Sequence, residues 1–384
     1  MLYNKIKSNK RLNSKWGLRM RLISTKLLKP GMVIGRTIWN DSGRPLLQDG
    51  VQITDRIIGR LVQLNIHYVY IEDIISKDID VQETIPLQVR HKAIQQIQDS
   101  FNSIKRATRE KNITYCLDEN SKQFVSIIND LMDYIFESKE IVTVLSDAFI
   151  YDEYIYQHSL QVTIYSISIA RELGYNAEEI RQIGIGAMLH DVGKMLIPFE
   201  ILNKPGRLTS EEFDTMKLHA RYGFDLLRNL HTISLLSAHC AFQHHERLDG
   251  SGYPRGLVDF EIHPYAKIIA VADVFDAVTS NRVYRNKMLP SQGMEIIKEG
   301  MGTLYDERVV RAFEKVIAIY TNGSVVLLSD GRRGIVYKQN HAQPNKPGLR
   351  IFEEDNQLLK ATYEYQLEDD VEIVKVELDY VLSE

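Results

Sequence analysis

The sequence predicts a mainly α-helical protein with a small mixed α/β module at one end and a small β module at the other, and three observations predict it. Through the middle of the chain apolar residues recur at helical spacing, with capping-box signatures at Asn176/Glu179 and Thr209/Glu212. From Leu22 to about Glu72, short β-like runs alternate with turn signals around one helical segment. After Gly323 the pattern becomes β-rich runs separated by Ser329-Asp330-Gly331 and a Pro/Asn loop.

Residues 1–21 read as a basic tail, solvated rather than bound to nucleic acid or lipid, and Met20 offers an alternative start. Residues 22–75 form the mixed module. Pro30-Gly31 and Asn40-Asp41-Ser42-Gly43 punctuate strand pairs around Met32-Val33-Ile34. Thr54 caps a helix whose Ile57, Ile58, Leu61 and Leu64 share a face, and Tyr68-Val69-Tyr70-Ile71 reads as a strand. Residues 76–139 hold a linker and helices leading into the core: Asp73 to Pro86 is polar and acidic, after which helical patterns run through Ile135 towards Tyr154.

Residues 140–320 form the central domain. Helices begin near Ala177 and Ser210, and Gly174 closes the helix before the first of them. Pro264 opens a helix through Ile268, Ala272 and Phe275, and a further helix spans Glu307 to Tyr320. In residues 321–384 strands are expected over Gly323–Leu328, Gly334–Tyr337, Leu349–Phe352 and Val371–Val376.

With 384 residues the chain exceeds one ordinary domain. Its hydrophobic fraction of 44% and charged fraction of 26% are globular values, and a net charge of -4 gives no electrostatic case for a nucleic-acid polymer or a membrane surface. Cys116 and Cys240 are far apart, without metal-like or redox-like spacing, which fits a reducing cytoplasm. No apolar run is long enough for a signal-peptide core or a transmembrane segment.

Seven hard or borderline ligands fall in the central region: His158, His190, Asp191, His219, His244, His245 and Asp273. Imidazole nitrogen mixed with carboxylate oxygen suits Fe, Mn, Co, Ni or Zn, whereas an all-oxygen set would suit Mg or Ca. The absence of thiolates argues against a structural zinc site. In an adjacent His-Asp pair the carboxylate can bridge two metals while the imidazole completes one shell, so Asp191 is the bridge candidate. Two metals sharing a water can lower its pKa and hold a phosphodiester in line for hydrolysis. Three residues on, Lys194 can meet phosphate as charge develops, although a solvated helix-end lysine is the plainer reading. The dipeptide His190-Asp191 is common by chance, and a single histidine is more often a core or surface residue.

Specificity comes from His244-His245-Glu246-Arg247-Leu248-Asp249-Gly250-Ser251-Gly252-Tyr253-Pro254, where two imidazoles end a helix and a glycine-rich loop follows. With His190-Asp191-Val192-Gly193-Lys194, this run resembles the HD-GYP family of the HD phosphohydrolase superfamily, whose members degrade the bacterial messenger cyclic di-GMP. The resemblance extends over Pro198, Ile201 to Lys204, Leu208-Thr209, Glu212, His219, Gly223, Ile268 to Ala277 and Arg282 to Arg285, covering roughly residues 140 to 318.

That resemblance implies an all-helical HD-type metal-hydrolase core. It puts two divalent transition-metal ions, Fe or Mn before Zn, Co or Ni, on the seven residues already nominated. A third metal is not expected, because Tyr154 stands where some members have glutamate. Tyr253 with Gly252 and Pro254 is implied to line the substrate pocket, with Lys194, Arg282 and Arg285 meeting phosphate oxygens. The competing reading of the loop is a tight structural turn with Tyr253 as a packing anchor. Asp276 and Glu246 are candidates for acids that orient the ligand imidazoles from behind, Asp276 the stronger because it shares a helix face with Asp273. His67, His91, His231, His239, His263 and His341 match no motif position. Phe213, Met216 and Phe224 read as core.

The expected activity is a metal-dependent phosphodiesterase that opens cyclic di-GMP to linear pGpG, with further cleavage to GMP left open. Two alternatives stand beside it: an HD hydrolase of another nucleotide, and a non-catalytic sensor or scaffold that binds the messenger without cutting it. The N-terminal module resembles a small domain often found before HD-GYP domains, through Leu28, Pro30-Gly31-Met32, Gly43, Leu46-Leu47 and Gly50. Either flank would serve a regulatory ligand, a signalling partner such as a diguanylate cyclase, or a homodimer.

Overall fold

A computed structural model describes residues 20–39, 45–64, 66–76, 79, 84–110, 113–138, 142–143, 154–230, 232–280, 288–340 and 342–381. They form two compact units. The first draws on both ends of the chain, up to Ile79 and from Tyr320 onward, and the second runs from Thr84 to Ile319.

In the first unit, β1 (Arg21–Ser24), β2 (Val33–Ile34), β3 (Ile38–Trp39), β4 (Pro45–Leu47), α1 (Asp55–Gln63) and β5 (Tyr68–Glu72) follow in order. β5 lies between β1 and β2, antiparallel to both, with Leu22 opposite Tyr70 and Ile34 opposite Ile71, while β3 pairs with β4. Thr54 caps α1 through its hydroxyl, which accepts the Ile57 N–H. The helix turns Leu61 onto a core of Ile23, Ile34, Ile53, Val69 and Ile71.

The C-terminal strands β6 (Val325–Leu328), β7 (Arg333–Lys338), β8 (Gly348–Glu354), β9 (Gln357–Gln366) and β10 (Ile373–Val376) form an antiparallel sheet in the order β9-β8-β7-β6-β10. Strand β9 was not anticipated. The N-terminal strand joins this part through its backbone, the Leu22 N–H donating to Gly323 O at 2.9 Å and the Ser24 N–H to Leu378 O at 3.0 Å. Buried Arg21 pairs with Asp73 and donates to Tyr380 O. Ile75 and Ile79, inside the stretch expected to be a polar linker, are buried against Val325, Ile335 and Phe352. Two isoleucines there outweigh the polar composition around them.

The second unit is helical: α2 (Leu87–Glu110), α3 (Ile113–Glu137), α4 (Tyr154–Glu172), α5 (Ala177–Leu189), α6 (Phe199–Leu202), α7 (Ser210–Leu227), α8 (Leu235–Gln243), α9 (Pro264–Thr279), α10 (Pro290–Glu299) and α11 (Glu307–Val316). α4 is sheathed by α3, α5, α9 and α11, and its Leu160, Val162, Ile164, Ile167 and Ile169 are all buried. α8 packs on α5, α7 and α9. The helix expected to reach Tyr320 stops at Val316, because Ile317–Ala318 pairs in parallel with Val142–Thr143. Among the described residues no helix is long and apolar enough to cross a membrane.

Candidate metal centre

Each nominated side chain sits at a helix position fixed by local sequence. Asn176 starts α5 with a full capping box, its side chain accepting the Glu178 and Glu179 N–H groups at 3.0 Å while Glu179 accepts the Asn176 N–H at 2.9 Å. Fourteen residues later the helix ends on His190, and Asp191 opens the 3₁₀ turn Val192–Leu196. Thr209 and Glu212 box the start of α7, which carries His219, and Glu212 also accepts the Lys204 ammonium at 2.6 Å. α8 ends on His244, with His245 next, and α9, opened by Pro264, supplies Asp273 and Asp276. His158 lies within α4.

Close backbone approach sets the spacing between two of these pieces. A Cβ on Gly193 would fall 2.0 Å from His219 O and 2.5 Å from the Gly223 backbone nitrogen, so only glycine lets the turn after Asp191 lie against α7.

The imidazoles converge on the carboxylates. His190 Nδ1 lies 2.7 Å from Ala187 O, His219 Nδ1 2.7 Å from Met216 O, and His244 Nδ1 3.0 Å from Ala241 O. A carbonyl only accepts, so each Nδ1 carries the proton and each Nε2 presents a lone pair. Those lone pairs face inward: His190 Nε2 is 3.3 Å from Asp191 Oδ2, His219 Nε2 is 3.4 Å from Asp191 Oδ1, and His219 and His244 Nε2 are 3.3 Å apart. His158 Nε2 is 3.1 Å from Asp273 Oδ1, and His245 Nδ1 is 3.6 Å from Asp273 Oδ2. His190 Nε2 and Asp191 Oδ1 are buried without a hydrogen-bond partner.

Buried lone pairs aimed at one another are costly unless a cation lies among them. Two subsets have ligand atoms within 4.8 Å of one another: Asp191, His219, His244 and His245, and His158, His190 and Asp273. The donor set therefore fits two cations, and its nitrogen and carboxylate chemistry fits divalent transition metals.

The electrostatics agree. Burial works against ionisation of Asp191, but the Lys194 ammonium and His190 overcome it and hold the carboxyl well below its ordinary range. Asp273 is likewise held low against burial, chiefly by its bond to His158. Burial, reinforced by neighbouring imidazoles, keeps His244 and His245 neutral and takes His219 down to about 4. His158 moves the other way, to about 9, because Asp273 and Asp276 outweigh its burial. Ionised carboxylates and neutral imidazoles are the states that bind metal, so His158 would have to give up its Nε2 proton to a binding cation.

Lys194 reaches into the centre, its ammonium 2.5 Å from Asp191 Oδ2. Tyr253 lies over His245, ring centroids 4.6 Å apart and planes tilted by 33°. Of the two acids expected to orient imidazoles, Asp276 faces His158 Nδ1 at 2.7 Å. Glu246 does something else. Its buried carboxylate accepts the Arg255 N–H at 2.8 Å and the Leu257 N–H at 2.9 Å, pinning the far limb of the loop around Tyr253.

Gly252 is required by the chain's own packing. Its missing side chain makes room for the chain itself, since a Cβ there would meet Arg247 N, Glu246 Cα and His245 O at 2.5 Å. Arg282 and Arg285 lie outside the described residues. Phe213, read from sequence as core, is 46% exposed and meets the Tyr253 ring edge-on.

The HD domain profile matches residues 144–309, the stretch that carries the whole centre. That stretch, somewhat under half of the chain, is similar to the HD domain family. Similar relatives include a cyclic di-GMP phosphodiesterase of Pseudomonas aeruginosa, 39% identical over 52% of this chain and 48% of its own. A cyclic di-GMP phosphodiesterase of Thermotoga maritima is 37% identical over 64% of this chain and 65% of its own. A 3'3'-cGAMP-specific phosphodiesterase of Vibrio cholerae is 37% identical over 42% of this chain and 35% of its own. The chain thus spans between about a third and two thirds of the length of these relatives. All three alignments are shorter than the chain, and the HD domain match stops before the C-terminal sheet.

Proposed function

We propose that this HD domain hydrolyses a cyclic dinucleotide, cyclic di-GMP before others, to the linear dinucleotide. The observation that carries the reading is the inward convergence of buried Nε2 lone pairs on Asp191. His158, His190 and Asp273 would hold one divalent ion and His219, His244 and His245 the other, with Asp191 between them. Iron or manganese suits this nitrogen and oxygen set, with zinc, cobalt or nickel as substitutes. Such ions would supply Lewis acidity at the phosphodiester and an acidified water.

The protein groups do the rest. Water oxygen bonds to phosphorus, the bond to the ribose 3'-oxygen breaks, and that oxygen leaves with a proton, opening the ring. Lys194, held against Asp191, lies where it can meet charge growing on the phosphate. Tyr253 walls the centre beside His245 and offers a ring to a base. Arg282 and Arg285 are assigned phosphate contacts on the motif alone. The names of the relatives support this substrate class, and the 3'3'-cGAMP-specific relative keeps that dinucleotide as the second candidate. The first unit, with strands from both chain ends, is the part open to a regulatory ligand, a diguanylate cyclase or a second copy, and the widely spaced cysteines fit work in the cytoplasm.

The test is metal analysis beside product chromatography on cyclic di-GMP and 3'3'-cGAMP, for the wild type and Asp191→Ala. Metal and linear product are expected in the wild type, and both are lost in the variant. Metal-loaded wild type that binds the dinucleotide without cutting it would leave a sensor or scaffold as the function.

A further inference from the structure

A line of rings leads outward from the centre: His245 lies under Tyr253, and Tyr253 meets Phe213 at 6.2 Å between centroids with planes at 81°. Phe213 sits on the first turn of α7, the helix that carries His219, and keeps 46% of its surface exposed. One turn along, Lys217 places its ammonium 5.2 Å from the Phe213 centroid and pairs with Asp214 at 2.6 Å. What sets Phe213 apart from other exposed rings such as Phe199 and Phe260 is its place in line with Tyr253 and His245 at the edge of the centre. A phosphodiester at the His/Asp cluster carries a base on each side, and one aromatic wall accounts for one base.

We propose that Phe213 and Lys217 form a second base step, the phenyl ring stacking a guanine of the dinucleotide and the ammonium meeting its O6 and N7 acceptors. The inference rests on the proposed cyclic-dinucleotide reading and extends it to specificity. Stacking on an aromatic ring is indifferent to which base is present, so Phe213 supplies affinity. Lys217 supplies choice, because guanine offers two acceptors on that edge whereas adenine offers one acceptor and a donor. An ammonium rejects the donor.

The experiment compares wild type with Phe213→Ala, Phe213→Leu, Phe213→Trp and Lys217→Met. For cyclic di-GMP, Phe213→Ala and Phe213→Leu are expected to raise KM about tenfold with kcat within about twofold, since leucine keeps the bulk without the π-face. Phe213→Trp restores KM, and its added fluorescence is quenched by cyclic di-GMP but not by inorganic phosphate. Lys217→Met narrows the preference for cyclic di-GMP over cyclic di-AMP. A wild-type KM in Phe213→Leu, or fluorescence of the Phe213→Trp protein unmoved by cyclic di-GMP, overturns the second base step. Failure of the wild type to yield linear product while that fluorescence still responds removes the hydrolytic reading and leaves the base step standing.

Discussion

Asp276 faces Nδ1 of His158 at 2.7 Å across α9 and α4, joining residues 118 positions apart in the chain. A carboxylate only accepts, so the bond puts the proton on Nδ1 and turns Nε2 toward Asp273. Asp276 is itself buried and also accepts the Ser280 hydroxyl at 2.9 Å. Replacing it by asparagine keeps the shape but removes the charge that fixes the tautomer. Asp276→Asn is expected to weaken manganese binding by about 10- to 100-fold, read by titration calorimetry. Unaltered affinity would remove Asp276 from the support of the centre.

Glu246→Ala strips the acceptors from the Arg255 and Leu257 amides and leaves one buried donor, on Leu257, and one part-buried donor, on Arg255, to be hydrated or unpaired. Each orphaned donor costs about 1–3 kcal/mol. Faster hydrogen exchange at those two amides, with exchange in α4 as in the wild type, is the expected result. Protection as in the wild type would show the loop is held by other contacts.

Gly193→Ala drives a methyl into the backbone of α7 at His219 and Gly223, neither of which is a flexible side-chain end. Overpacking of this kind costs about 1–3 kcal/mol, or more where backbone must shift. A lower melting temperature and reduced metal content should appear together, since the atom displaced belongs to a candidate ligand residue. A protein that melts and binds metal like the wild type would contradict the close approach.

Chelation gives a test that needs no substrate. A cation bound only by the folded state stabilises by about 2.7 kcal/mol at a hundredfold excess over its Kd. The buried converging nitrogens predict that manganese raises the melting temperature of chelator-treated protein, and that Asp191→Ala removes most of the rise. Equal melting curves with and without metal would count against a cation site.

The centre was legible because much of its chemistry is concentrated in two local runs, His190 to Lys194 and His244 to Pro254, and because capping boxes announce the helices that deliver His190 and His219. What stayed hidden depends on contacts across the chain. Glu246 looks like any acid after a helix until the loop amides fold onto it, and Phe213 has core spacing but sits on an open face. Strand β9 carried a signal that went unread, Leu359, Ala361, Tyr363 and Tyr365 alternating with Lys360, Thr362, Glu364 and Gln366, in an edge strand that stays exposed along most of its length. The segment holding Ile75 and Ile79 looked polar because two buried residues suffice to anchor it.

The hydrogen bonds from Leu22 to Gly323 and from Ser24 to Leu378 have a consequence for biosynthesis. The first strand leaves the ribosome about 300 to 350 residues before these two partners are translated, while the helices between have all theirs in hand much sooner. One edge of β1 finds β5 early, but the other must wait, so a nascent chain stalled before Gly323 would hold a finished helical body and an N-terminal strand with one edge open to chaperones.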